Sequence, residues 1–288
     1  MVKTKNTLKI VVAAVLIAIL GLCGCTSGSK PEPGTTQAEN SEEKSESSKK
    51  LQTATDPGQT DADKNLIRTI IMANDESLHD MNNNKYRLKC VYETISLDEE
   101  SAKKYPELER ALKAYSEELL AEQRKIIGQA EKDPNLKEGF DMYYENSFNL
   151  EATRADSDIL SCRTTLFQYT GGAHPNSYVE GVSFDSKTGK RLQLSDVVTS
   201  KEDLIHVVWK CLKDNYSDEA FWDLEGSMNS YLKDPEYELK WYLSSDGLCV
   251  SFDPYILSSY GMGRFDVVVP YAEHPSLFKD GIPVVGKI

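Results

Sequence analysis

Between Ile159 and Gly189 the chain carries the feature that most narrows its fold. An apolar-rich run, Ile159 to Tyr169, meets Thr170-Gly171-Gly172-Ala173, leaves through His174-Pro175-Asn176, and becomes a second run from Tyr178 to Asp185. A further turn, Ser186-Lys187-Thr188-Gly189, closes it. Gly171, Gly172 and Gly189 supply backbone angles that other residues avoid, and Pro175 stiffens the exit. The pattern predicts two antiparallel strands joined by a two-glycine turn, around which neighbouring segments must be built.

Those segments read as mixed α and β. Tyr86, Leu88, Cys90, Tyr92 and Thr94 alternate with Arg87, Lys89 and Glu93, as in a half-buried strand. After Asp98-Glu99-Glu100, apolar residues Leu108, Leu112, Tyr115, Leu119, Ile126 and Ile127 recur at helical spacing as far as Ala130. Phe148 to Thr153 and Ile159 to Tyr169 form a hairpin through Ala155–Asp158. Beyond Gly189 the sequence predicts a short strand at Arg191–Leu194 and a helix over Leu204–Leu212 capped by Ser200 with Asp203. A second helix capped by Ser217 runs through Phe221, Trp222 and Leu224 towards Tyr231. Leu239–Leu243 and Leu248–Phe252 flank Asp246-Gly247, a type I′ hairpin signal, and Phe265, Val267 and Val269 alternate up to Pro270. The expected class is α+β: mainly antiparallel sheet, a long N-terminal amphipathic helix, and two central helices packed on the sheet.

The first 64 residues are of another kind. Lys3, Lys5 and Lys9 precede an apolar run from Ile10 to Leu22, too short to span a bilayer comfortably and suited to a signal peptide over residues 1–24. Leu22-Cys23-Gly24-Cys25 reads as a lipobox with Cys25 as the lipidated residue, which places the chain on the extracytoplasmic face of a membrane. Residues 25–64 hold no aromatic residue and only one large apolar one, Leu51, so they cannot offset the entropy of ordering and are expected to be a tether. A flexible coil of that length has an end-to-end distance of about 30–40 Å.

Fifteen Tyr, eight Phe and three Trp allow a sizeable core. Losing the three leader lysines takes the formal charge from −13 to −16, which disfavours nucleic acid and anionic lipid and favours cationic partners, though acidity also serves solubility alone. Cys90, Cys162, Cys211 and Cys249 permit two disulfides in an exported protein; they equally suit buried free thiols, the reading their scattered spacing favours. No CxxC, HExxH, Gly-x-Ser-x-Gly, Walker or dinucleotide motif is present, so no catalytic residue, metal site or cofactor is assigned. His174, with Asn176 and Tyr178, is a candidate ligand loop. The same histidine would serve structurally by bonding turn carbonyls, and that role is favoured.

The Gly171–Asn176 turn, Phe252-Asp253-Pro254-Tyr255, Tyr260-Gly261 and Val267–Tyr271 resemble the domain family shared by the extracytoplasmic region of the anti-sigma factor RsiV and the non-catalytic region of the deacetylase PdaC. The resemblance implies a DUF4163-like subdomain over residues 65–170 and a DUF3298-like subdomain over 171–288, here as a stand-alone lipoprotein. RsiV's sigma-binding segment and transmembrane helix, and PdaC's separate deacetylase domain, have no counterpart in the sequence. It further implies a ligand-binding or sensor module whose partner is a cationic, lysozyme-like wall-active protein. Peptidoglycan or another carbohydrate is the alternative, with tyrosines and Trp222 or Trp241 stacking on glycan; a weak esterase or deacetylase is a third.

The lipobox reading has a direct test. Cys25→Ser should release the protein into the medium or leave an unprocessed precursor, and a processed, membrane-bound Cys25→Ser protein would show another anchor.

Overall fold

The computed structural model describes residues 66–81, 85–133, 136 and 143–283; the expected signal peptide, Cys25 and the tether lie outside the described residues. A first ribbon pairs β1 (Thr69–Asp75) with β4 (Val91–Leu97) and β2 (Leu78–His79) with β3 (Tyr86–Lys89), all antiparallel. β3 and β4 lie parallel along one edge of β5 (Tyr144–Ala155). From there β5, β6 (Ile159–Tyr169) and β7 (Asn176–Asp185) run antiparallel, and β6 and β7 pair from Ile159↔Asp185 to Gln168↔Asn176. The strand pairing thus crosses residue 170, so the two expected subdomains share one seven-stranded sheet.

Helix α1 (Glu99–Lys104) starts where the Asp98 carboxylate accepts the Ser101 N–H at 2.7 Å. Acids in its first turn and lysines in its last complement the helix dipole. Pro106 then opens α2 (Pro106–Ala130), where its missing N–H is harmless. α2 lays Leu108, Leu112 and Tyr115 on Leu150, Leu160, Cys162, Val182 and Phe184 of the sheet. Each such leucine, fully buried, contributes about 1.5–3 kcal/mol.

The opposite face of the large sheet meets a three-stranded sheet, β8 (Lys240–Leu243), β9 (Gly247–Phe252) and β10 (Phe265–Pro270). The contact is close and polar. The Leu243 N–H donates to Ser161 Oγ at 2.9 Å, Thr153 Oγ1 donates to the Leu243 carbonyl at 2.7 Å, and Ser161 and Ser183 hydroxyls bond at 2.9 Å. At Gly181 the β8 backbone comes so near that an added Cβ would lie 1.9 Å from the Trp241 carbonyl oxygen. Beyond the small sheet, α4 (Lys201–Asn215) and α5 (Leu224–Lys233) bury Leu204, Val208, Leu212 and Met228 against Val250, Phe252, Phe265 and Val267. The order of layers is helix, large sheet, small sheet, helix pair. The class is the expected α+β, and no helix among the described residues is long and apolar enough to cross a membrane.

Several local expectations are corrected. The strand read at Tyr86–Thr94 breaks at Cys90, and burial passes from Leu88, Cys90 and Tyr92 to Ile95 and Leu97. The cause is that β4 pairs with β5 only at Tyr92↔Phe148; past that point the Ser116 hydroxyl bonds the Ile95 backbone and the Glu109 carboxylate accepts the Leu97 N–H. Arg191–Leu194 is no strand: it makes one bridge, Phe184↔Arg191, before α3 (Leu194–Val197). Ser217 makes no side-chain cap and precedes a 3-10 turn at Asp218–Ala220, while the helix begins at Leu224 under an Asp223 cap. In the β8–β9 turn neither Asp246 nor Gly247 has positive φ, so the turn is not type I′. Gly247 is needed because a Cβ would lie 2.3 Å from the Val269 carbonyl oxygen.

Gly181→Ala should therefore lower stability by about 3 kcal/mol, because backbone on backbone cannot yield as a side chain can. Urea titration of the full chain checks it; a loss under about 0.5 kcal/mol would mean the two sheets separate freely.

Candidate functional site

The Gly-Gly turn is held in place from both sides. Gly171 and Gly172 take φ of 85° and 107°, and Tyr169 Oη donates to the Gly172 carbonyl at 3.2 Å. On the far side the turn delivers His174 to the loop that follows β9. There the imidazole stacks on Tyr260 with centroids 3.7 Å apart and 18° between planes. Its Nε2 lies 3.0 Å from Tyr255 Oη, and its Nδ1 lies 3.1 Å from the Pro175 carbonyl.

Tyr255 has a positive φ, 72°, alone among the described non-glycine residues. An L-residue there costs about 1–2 kcal/mol, and the surrounding contacts hold it. Its ring stands 5.8 Å from Tyr260 and 6.4 Å from Trp222. The Trp222 backbone N–H donates to the Leu257 carbonyl at 3.1 Å, which ties the residue to the same loop. The result is a surface cluster of four rings, His174, Tyr260, Tyr255 and Trp222, beside exposed Ile256 and Met262. Trp222 is 64% exposed and Tyr255 47%, so the indole and this phenol keep much of their surface open to a ligand.

The chain on either side of Trp222 is acidic. Asp218, Glu219, Asp223 and Glu225 are exposed around Trp222 in the sequence, and no lysine or arginine falls between Lys213 and Lys233. Beneath the loop, buried Asp253 accepts the Val179 N–H at 2.9 Å and Lys240 Nζ at 2.7 Å, and Lys240 also meets Glu180 at 2.6 Å. Burial works against the Lys240 charge, but Glu180 and Asp253 outweigh it and hold its pKa above the ordinary lysine value. Tyr178 lies under that ammonium, 5.6 Å from ring centroid to Nζ, and burial followed by the Asp253 charge pushes its phenol up.

The three residues of the candidate ligand loop therefore part. His174 enters the ring cluster, Tyr178 joins the Lys240 ion-pair group, and Asn176 opens β7 opposite Gln168. Trp241 is partly buried against the core of the small sheet and does not share the exposed platform. Tyr255 and Tyr260 are the residues that sequence reasoning left without a role. Both lie in quoted motifs, but no spacing shows that they meet His174 across 81 residues of chain. Cys90, Cys162, Cys211 and Cys249 are free thiols, with Cys162 pushed up to about 12 by burial. Among the described residues no three His, Cys, Asp or Glu side chains gather to hold a metal ion.

The space around Gly172 is open, so Gly172→Ala should cost about 1–2 kcal/mol through backbone angle alone. His174→Ala should cost less, since the imidazole is half exposed, and should instead free the Tyr255 and Tyr260 rings. Denaturant titration and aromatic proton line widths check both; the reverse ranking in stability would give His174 the larger structural share.

Residues 44–177 match the family model described as "Deacetylase PdaC", and residues 195–272 match the one described as "Protein of unknown function (DUF3298)". No curated protein matches the chain. A crystal structure of a DUF3298 family member from Bacteroides fragilis NCTC 9343 is similar with a TM-score of 0.52 and 17% identity, over 75% of this chain and 95% of that one. A DUF3298 family protein from Pseudomonas aeruginosa PAO1 gives 0.49 and 16%, over 75% and 96%. At such identities the first likeness speaks for the fold alone. The chain thus joins a PdaC-like region to a DUF3298 region, the latter containing Trp222, Tyr255 and Tyr260.

Proposed function

We propose that the protein is a lipid-anchored, extracytoplasmic recognition module without catalysis of its own, and that the four-ring cluster is where it takes its ligand. The observation that carries the reading is the cluster itself. A strained tyrosine is held at the surface by its hydrogen bond to His174, and a tryptophan tied to the same loop through its backbone stands beside it. Rigid aromatic side chains of this kind offer large contact area at low entropic cost.

The acidic surroundings of Trp222 favour a basic protein over a neutral ligand. A lysine or arginine placed on the indole face would gain a cation–π contact and nearby carboxylates together. This agrees with the lysozyme-like partner that the sequence resemblance implies, and the net charge of the chain would speed the approach. A glycan is the second reading, favoured by the adjacent Trp222 and Tyr255 rings, which offer flat faces for sugar stacking.

Calorimetry of the full chain in non-ionic detergent, against lysozyme and a peptidoglycan fragment at two salt concentrations, separates them. Lysozyme binding that weakens with salt, and that Trp222→Ala weakens by about 2 kcal/mol or roughly 30-fold without changing the melting temperature, supports the first reading. Salt-insensitive heat with the glycan alone moves the assignment to carbohydrate. Silence from both ligands overturns the site.

A further inference from the structure

The two edges of the large sheet are treated differently. β7 is covered along its outer side: Asp253 accepts the Val179 N–H, the Leu192 N–H donates to the Ser183 carbonyl at 2.8 Å, and Arg191 bridges Phe184. At the opposite edge the chain enters β1 bonded to β5, with Leu66 bridging Asp156 and the Ile67 N–H donating to the Ala155 carbonyl at 3.0 Å; from Thr69 onward β1 pairs with β4 and, among the described residues, with no strand beyond it.

The backbone of β1 shows which groups face outward. The Arg68 carbonyl accepts the Asp98 N–H and the Glu76 N–H donates to the Cys90 carbonyl, in a ladder running unbroken from Thr69↔Leu97 to Asp75↔Val91. Even-numbered residues therefore turn their peptide groups to β4, and Thr69, Ile71, Ala73 and Asp75 turn theirs to the open edge. The strand Thr-Ile-Ile-Met-Ala-Asn-Asp has no lysine, proline or bulge, the usual guards against edge pairing. Its apolar side chains are exposed on both faces, Ile70 and Met72 (55%) on one and Ile71 on the other.

The preceding segment of this chain is a poor cover, since residues 26–64 hold a single large apolar residue, Leu51. A second copy of β1 fits well. In an antiparallel register with its two-fold axis at Met72, Ile71 of each copy faces Ala73 of the other and Thr69 faces Asp75, so the outward peptide groups pair. Met72 meets Met72 and Ile70 meets Asn74 in the alternate, more closely spaced positions. The same register sets exposed Arg68 opposite Glu76 at both ends, an opposite-charge pair that a shift of one hydrogen-bonded step loses. The edge is thus self-complementary in hydrogen bonding, apolar contact and charge.

We infer that the protein forms a two-fold dimer through β1, joining two large sheets into one continuous sheet. The dimer stands apart from the ligand reading, since β1 lies at the other edge from the strand that carries the Gly-Gly turn.

Cysteine cross-linking of the full chain tests the register. Non-hydrogen-bonded antiparallel pairs bring Cα atoms to about 4.5 Å, within disulfide reach. The Met72→Cys protein should therefore cross-link to itself under mild oxidation. Ile70→Cys and Asn74→Cys should cross-link when mixed and not singly, with each bridge assigned by mass spectrometry of the residue 69–85 tryptic peptide. Met72→Lys, which sets two like charges at the axis, should weaken the dimer about tenfold or more in sedimentation, with its melting curve showing that the fold survives. Two outcomes overturn the inference. One is a Met72→Cys protein that cross-links no faster than a Glu99→Cys control; the other is an Ile70→Cys protein that cross-links alone as well as the mixture does. Loss of lysozyme or glycan binding in Trp222→Ala leaves these results unmoved, so the two readings fail separately.

Discussion

The close approach of β7 and β8 is the constraint on which the rest of the structure rests. Two sheets packed through large side chains lie about 10 Å apart. Here Gly181 admits the Trp241 carbonyl, and Ser161, Ser183 and Thr153 offer hydroxyls in place of bulk. The β8 strand is stitched to the large sheet by side chain to backbone bonds at Leu243, without extending the sheet. A small apolar cluster of Val179, Tyr242 and Cys249 lies there, and Ile159 of β6 joins the core of the small sheet. The large hydrophobic clusters sit on the two outer faces, under α2 and under the α4–α5 pair.

A second tie reinforces the first. Arg154 is almost wholly buried; its Nε donates to Asp156 at 2.7 Å, and its Nη1 reaches Tyr271 Oη and the Ile282 carbonyl. Burial alone would raise the Asp156 pKa, but the guanidinium overrides it and holds the carboxylate below its usual range. The other oxygen of Asp156 accepts the Asp158 and Ile159 N–H groups that form the β5–β6 turn. One ion pair therefore sets a hairpin and binds the C-terminal segment to it. Removing either partner strands a buried charge, a loss of about 3–5 kcal/mol.

Legibility in the sequence followed how local each cause was. The β6–β7 ribbon, α2, the Ser200 cap and β10 are each determined within a few residues, by alternation, helical spacing or a single side chain, and the sequence shows all four. The β8–β9 turn departs from type I′ beside a remote neighbour, since the Val269 backbone crowds Gly247; the Ser217 helix departs over a short distance, where two capping side chains compete and Asp223, not Ser217, takes the free N–H at Gly226. β1 escaped notice because a strand with both faces exposed shows no alternation. Arg154 gave no sign of burial, because the bulge between Ala152 and Arg154 that turns it inward exists only in the paired strands. The ring cluster was half legible. Trp222 and His174 stood out by type, while Tyr255 and Tyr260 take their role from a contact that spans 81 residues.

The placement of that cluster follows from the covering of the β7 edge. Asp253 is buried because it takes the Val179 N–H that β7 would otherwise present to solvent, and Lys240 compensates its charge. The chain must then turn away sharply, within two residues, from a side chain fixed against the sheet. Pro254 removes one donor and restricts the approach, and Tyr255 takes up the positive φ. Its ring is thereby thrown outward, to where His174 arrives from the Gly-Gly turn at the start of the same β7 strand. Edge protection and ligand surface are in this sense one device. The carboxylate that seals the sheet also sets the direction of the loop, and the strain at Tyr255 is the local consequence. A glycine in its place would relax the backbone and surrender the ring; the tyrosine keeps the ring at the expense of the strain. That choice makes sense where the exposed ring has something to meet.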